Sequence, residues 1–312
     1  MKHLIQPVFA FLSAASFVSP VYADELRGSW DFSLDVYAES DDNVNHGTDA
    51  YRLDDTVTGV VLGIERDIPF SYNNALIYSF ELGYESYSDW DGLNHAIAGA
   101  GLEYRFRSGR HFTAPVYSLY AKIRALEFDS KVRDGGEALI GFSLGKRVTD
   151  RVQLVFGLEA YQRNADTEVF QLSRNRFYGL FDWRVGYRTS VYLQYQYLKG
   201  DIASTGPMGA YTGLGGAVPY IEDDAFYFQV PAGQAQTQPG SGYYSTPAYT
   251  YDVVPAYAYR LDSETQVIEV GINLPLSNAQ AFQLSVSNYD SDAQYNLKYG
   301  GTQIRLDYLV RF

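Results

Sequence analysis

Charged side chains recur at every second position through much of this 312-residue sequence, and their signs sort by region. In SWDFSLDVYAE, Asp31 and Asp35 alternate with Trp30, Phe32, Leu34 and Val36. Glu65, Glu81, Glu85 and Glu103 follow at the same spacing in the next three segments, with Arg105 the exception. The positive set comprises Lys122, Arg124, Arg174, Arg176, Arg184, Arg305 and Arg311, opposed by Asp182 and Asp307, while Glu137, Arg147, Glu159 and Arg163 are mixed. Charge at period two against apolar residues at period two puts ions on one strand face and hydrocarbon on the other. The chemistry this suits is physical: an acidic wall facing a basic wall sets a field that orients and selects polar solutes.

Covalent chemistry has few candidates. The sequence contains no Cys, which removes disulfides, thiol nucleophiles and thiolate metal sites. Beyond the first segment the histidines are His46, His95 and His111. His46, beside Asp41, Asp42 and Asp49, is the one candidate for an acid–base dyad. No phosphate loop, dinucleotide fingerprint or serine elbow is present. We therefore expect no enzyme, no catalytic residue, no metal and no cofactor. The acidic runs ESDDN, SDWDGLN and YDSDAQYN contain oxygens that suit Ca²⁺ but read as solvated loops.

The elements that must position the charges are strands. HAIAGAGLEYRF and DRVQLVFGLEAYQR alternate as cleanly as the first segment, and helical periodicity is almost absent. Twelve segments are expected at about 28–40, 55–66, 76–88, 94–107, 115–129, 136–148, 151–163, 174–186, 189–201, 264–276, 281–290 and 299–312. Each is long enough to cross a bilayer as a tilted strand, which takes ~9–11 residues. Connections after even segments are short and several after odd segments are long, above all a loop at about 202–262 rich in Gly, Pro and Tyr. Trp30, Tyr104, Phe106, Tyr117, Trp183, Phe282 and Phe312 are expected in one interfacial belt, and Tyr84, Tyr87, Phe128, Phe177 and Tyr197 in the other. Inward glycines at 59, 63, 83, 99, 101, 141, 145 and 157 are expected to leave space in the interior. The fold class is an all-β, transmembrane, antiparallel up-and-down β-barrel of twelve strands.

Residues 1–23, with Lys2, an apolar middle and the exit Val21-Tyr22-Ala23, read as a cleaved signal peptide, leaving 24–312 as the barrel. The formal net charge is −13, and removing Lys2 makes it one unit more negative, which disfavours nucleic acid.

The last strand ends YLVRF, with Ile304, Leu306, Tyr308, Val310 and Phe312 on one face. This resembles the terminal signature of Gram-negative outer-membrane β-barrel proteins. The resemblance implies that Phe312 is an assembly signal for the barrel-assembly machinery, and that the chain sits in the cell outer membrane among lipid and lipopolysaccharide. The expected function is a monomeric pore or binding channel for a small polar solute. The alternatives are a filled barrel serving as a surface scaffold, for adhesion or as an envelope anchor, and a surface hydrolase.

Overall fold

The computed structural model describes residues 30–312 apart from 50, 187, 208–226 and 229–253. The signal-peptide reading of 1–23 lies outside the described residues. Twelve long strands account for the architecture: β1 (Trp30–Asp41), β2 (Asp55–Ser71), β3 (Asn74–Tyr87), β4 (His95–Arg107), β5 (Val116–Phe128) and β6 (Gly135–Arg147). They continue as β7 (Val152–Ala165), β8 (Leu172–Arg184), β9 (Ser190–Pro207), β10 (Val254–Pro275), β11 (Gln280–Ala293) and β12 (Leu297–Arg311). Every strand pairs antiparallel with its sequence neighbours, and β12 returns to β1 through Ser33↔Arg311 to Asp41↔Gln303. The ring is closed, so no barrel edge is left to aggregate.

Alternation explains why the ring closes around its polar face. Mid-strand Leu62, Leu82, Ile123, Ile140, Leu158, Ile268 and Ile304 all point outward and are half or more exposed. A band of this extent is too apolar for a water-facing surface and suits acyl chains. Trp30, Tyr104, Phe106, Trp183 and Phe282 lie outward near the strand ends that share the chain termini, with Arg66 stacked on Trp30 at 5.0 Å. The opposite belt is thinner than expected. Tyr84 and Phe177 point outward, but Tyr87 and Phe128 are buried inside, because their parity is that of Glu85 and Arg124.

The connections correct one boundary. The expected loop at 202–262 is shorter, because residues 201–207 of β9 pair with 256–262 of β10. Ile202, Tyr259, Leu261 and Tyr299 bury one another there, which offsets a local composition of Gly, Pro and Ser that reads as loop. Only Tyr227–Phe228, paired with Pro255 and Val254, is described between these strands. Four of the remaining connections on that side are closed by 3₁₀ turns, at Asp91–Leu93, Lys131–Arg133, Glu168–Phe170 and Gln294–Asn296.

Candidate functional site: the barrel interior

Glycine and tyrosine organise the inner wall. Tyr37, Tyr120, Tyr178, Tyr192 and Tyr289 stand directly across from Gly59, Gly141, Gly157, Gly271 and Gly301 on the neighbouring strand. Each ring lies flat over its glycine, where any Cβ would collide with it. Because the glycine has no side chain, the hydroxyl reaches the strand beyond. Tyr37 crosses Gly59 to donate to Glu85, and Tyr120 crosses Gly141 to donate to Glu159 at 2.6 Å. Glu81 and Arg124 meet in the same way over Gly99. The expectation that inward glycines leave empty space is thus corrected: most are covered by a neighbour's side chain.

The charges expected on two walls do face inward, but they pair sideways. Arg124 binds Glu81, Arg176 binds Glu159 at 2.5 Å, and Arg105 binds Glu103 at 2.9 Å. Arg305 lies among Asp307 (2.7 Å), Asp35 (3.7 Å) and Glu39 (3.7 Å), stacked over Tyr37 at 3.7 Å. Arg163 approaches Glu137 at 4.0 Å, and Tyr161 donates to the same carboxylate at 2.6 Å. Lys122 packs beside Gly101. Asp31, Glu65 and Arg184 sit exposed at the end near the termini, with Arg311 beside them.

The basic row of β8 does not lie at one height. Arg174 and Arg176 follow Leu172, the first residue of the strand, whereas Arg184 is its last. At ~3.3 Å per residue, Arg174 and Arg184 stand roughly 33 Å apart along the strand. Sequence reasoning also passed over Glu39 and the tyrosines as participants. The signal was available: each tyrosine shares the inward parity, and a neighbouring segment supplies a glycine.

The first loop, which follows β1, turns into the mouth. Val44, Asn43, Asn45 and His46 are almost completely buried. Asn45 Nδ2 donates to Thr205 O at 2.8 Å, and Thr205 N donates back to Asn45 O at 2.9 Å. Ser204 Oγ donates to His46 O, and Asn43 Nδ2 donates to Gly300 O. Loop 42–54 therefore leaves β1 and is tied to β9 and β12. His46 supports this turn with φ of 47°, in the left-handed region.

The His46 ring meets Tyr289 edge-on at 5.5 Å, and burial drives its pKa down to about 3, helped by the guanidiniums of Arg174 and Arg133 and opposed by a hydrogen bond at the Ala203 backbone. The unfolded chain takes up a proton near pH 6.5, whereas the native ring stays neutral until about pH 3. Stability present above pH 6.5 should then be lost progressively as pH falls toward 3. We expect His46→Asn to flatten part of the drop in unfolding midpoint between pH 7 and pH 4.5. An unchanged drop would show that His46 does not carry it.

No family model matches the sequence, and no curated protein matches it. The structure is similar to an outer-membrane channel from Pseudomonas putida F1, with a TM-score of 0.53 and 12% identity, over 95% of this chain and 100% of that one. It is more distantly similar to the translocator domain of the autotransporter NalP from Neisseria meningitidis, at a TM-score of 0.44 and 9% identity over 100% and 96%. The KdgM porin in complex with disordered oligogalacturonate aligns at 0.43 and 8% over 90% and 99%. At 12% identity the likeness to the channel speaks for the fold alone, a closed antiparallel β-barrel.

Proposed function

We propose that the chain is a Gram-negative outer-membrane channel that passes or binds a small polar solute. The termini face the periplasm, and the barrel inserts as a monomer among lipid and lipopolysaccharide. The observation that carries the reading is the direction of the ion pairs. The pairs named above join strands no more than two apart, so the charges are satisfied along the wall rather than across the ring. A plug would pair residues across the ring. Single-channel recording in a planar bilayer tests this: stable conductance steps are expected, and silence from correctly folded protein would overturn it. The filled scaffold remains the second reading, favoured by the first loop's turn into the mouth and by the burial of inward Glu39, Glu159, Arg176 and Asp307. The surface hydrolase stands as the third reading, with His46 its candidate residue, buried in the first loop.

Phe312 is proposed to signal assembly, in keeping with the YLVRF resemblance. Its backbone N–H donates to Phe32 O at 2.9 Å, and its ring is 74% exposed on the lipid-facing side. The ring is thus dispensable for the interior yet available to the assembly machinery. Deleting Phe312 should reduce folded, heat-modifiable protein in the membrane while residual folded barrels keep normal thermal stability. A normal yield at low expression would remove the assembly role.

A further inference from the structure

Three alternate strands end on an inward arginine at the mouth near the chain termini. Arg107, Arg147 and Arg184 are the last residues of β4, β6 and β8. Deeper in the barrel, Arg124, Arg163, Arg176 and Arg305 each have a carboxylate within 4.0 Å. Among the described residues, none of the three arginines at the mouth has one. Arg107 and Arg184 lie instead within electrostatic reach of Arg147, where like charges repel. The Arg147 guanidinium is held over the Phe112 ring at 5.1 Å, and Arg107 Nε has no hydrogen-bond partner. Three cations so placed are stabilised when an anion joins them.

The wall between them is hollow and open to the mouth. Val116 pairs with Arg107 on one side and with Gly145 on the other, so Gly145 stands two strands, roughly 10 Å, from Arg107 at the same level. Gly145 differs from the glycines that a tyrosine covers. A Cβ there would meet nothing nearer than Val116 O and Val155 Cγ2, both at 3.9 Å. Arg184 is exposed, and Arg107, Arg147 and the neighbouring Gln153 are partly exposed, so a solute reaches the hollow directly.

We propose that this hollow binds a phosphate monoester dianion, with Arg147 as the central anchor and Arg107 and Arg184 closing on it from either side. The inference deepens the channel reading and rests on it.

The balance of charge selects a dianion. Asp182, two residues before Arg184, is within its electrostatic reach and leaves the three arginines with two net positive charges. Glu103, the other acidic group nearby, already accepts from Arg105 and Ser118. A monoanion answers one of the two charges, and a phosphate monoester answers both. Each guanidinium presents a planar fork of donors that matches phosphate oxygens. Gln153 pairs with Arg147 on one side and Asp182 on the other, and brings a carboxamide to the same level. Inward parity keeps the three arginines off the lipid-facing surface that Lys146 occupies, so the phosphate belongs to a free solute rather than to a lipid headgroup.

The test is equilibrium binding to the folded, detergent-solubilised barrel, which does not depend on conductance. Titration calorimetry with glucose 6-phosphate should give saturable binding at constant ionic strength and about pH 8, where a phosphate monoester is doubly charged. Glucose should bind at least tenfold more weakly, as should glycerophosphoglycerol, a monoanionic diester of the kind lipids carry. Arg147→Gln should lose about tenfold or more in glucose 6-phosphate affinity, as expected when a charged hydrogen-bond partner is removed. If that variant does not fold, Gly145→Leu supplies the test: it keeps all three arginines, fills the hollow and should weaken binding severalfold. Equal binding of the monoester and the diester to the native barrel would overturn the site. So would undiminished monoester binding by Arg147→Gln or by Gly145→Leu. Binding without conductance would support the site and overturn the open channel, whereas conductance without binding would do the reverse.

Discussion

Arg176→Gln should lower the unfolding free energy by about 3–5 kcal/mol, the cost of leaving a buried carboxylate without its counter-ion. Arg176 Nε and Nη2 both reach Glu159 Oε2, at 2.7 and 2.5 Å, and Nη1 donates to Gln196 at 3.1 Å. The side chains of the pair are 3% and 4% exposed. Its guanidinium also lies over the Tyr178 ring at 4.7 Å, and Tyr178 stands 3.2 Å from the Tyr120 hydroxyl that serves Glu159. Losing the cation thus disturbs a network spanning β5 to β8. Arg184→Gln, at the exposed end of the same strand, should change stability by only ~0–1 kcal/mol. Urea titration of the barrel folded into lipid vesicles measures both. A loss below about 1 kcal/mol for Arg176→Gln would show that water screens the pair. Adding Glu159→Gln should restore much of the loss, since the orphaned charge is then gone.

How much of this was legible follows from what period two encodes. Alternation tells which face a side chain takes, so the inward set from Asp35 to Arg305 and the outward band from Leu62 to Ile304 could be read directly. It does not tell which residue of the next strand lies opposite. That depends on where each turn closes, and Tyr120 finds Gly141 only through the register set at 129–134. For this reason the charges read as two separate walls, when their nearest partners are lateral. The outer ends of β9 and β10 were hidden for another reason. Gly206 and Pro207 are poor strand formers, and the pairing of this end is held by long-range contacts among Ile202, Tyr259, Leu261 and Tyr299.

Lateral pairing does not erase the transverse asymmetry. Around Arg305 stand Asp35, Glu39 and Asp307, and Glu269 lies close enough to feel both Arg305 and Asp307. On β7 and β8, by contrast, Arg163, Arg174 and Arg176 outnumber Glu159. In a ring of twelve, β1 and β7 are opposite. The proposed field therefore runs from the β7–β8 wall to the β12–β1 wall, carried by residues left over after pairing.

Asn45→Ala should release the first loop from the mouth while the barrel stays folded. Asn45 Nδ2 donates to Tyr51 O and Thr205 O, both at 2.8 Å, and its Oδ1 accepts from Leu53 N at 3.0 Å and Gly47 N at 3.3 Å. Alanine can replace none of these bonds. Each buried group orphaned costs about 1–3 kcal/mol, so the inward turn loses more than a short loop readily recovers. The strands themselves keep their ladders, because the contact to β9 falls at Thr205, beyond the membrane-facing stretch. Protease added outside intact cells should then cut within 42–54 in the variant and spare the native protein, with heat-modifiability unchanged. Asp49→Asn is the matched control, since Asp49 is 88% exposed and pairs only with nearby Arg52 among the interactions described. In a bilayer, the variant should also conduct in larger steps, because the peptide that narrows the mouth has moved away. Equal protection of Asn45→Ala and the native barrel would mean that the loop is held inward by other contacts, such as Asn43 to Gly300.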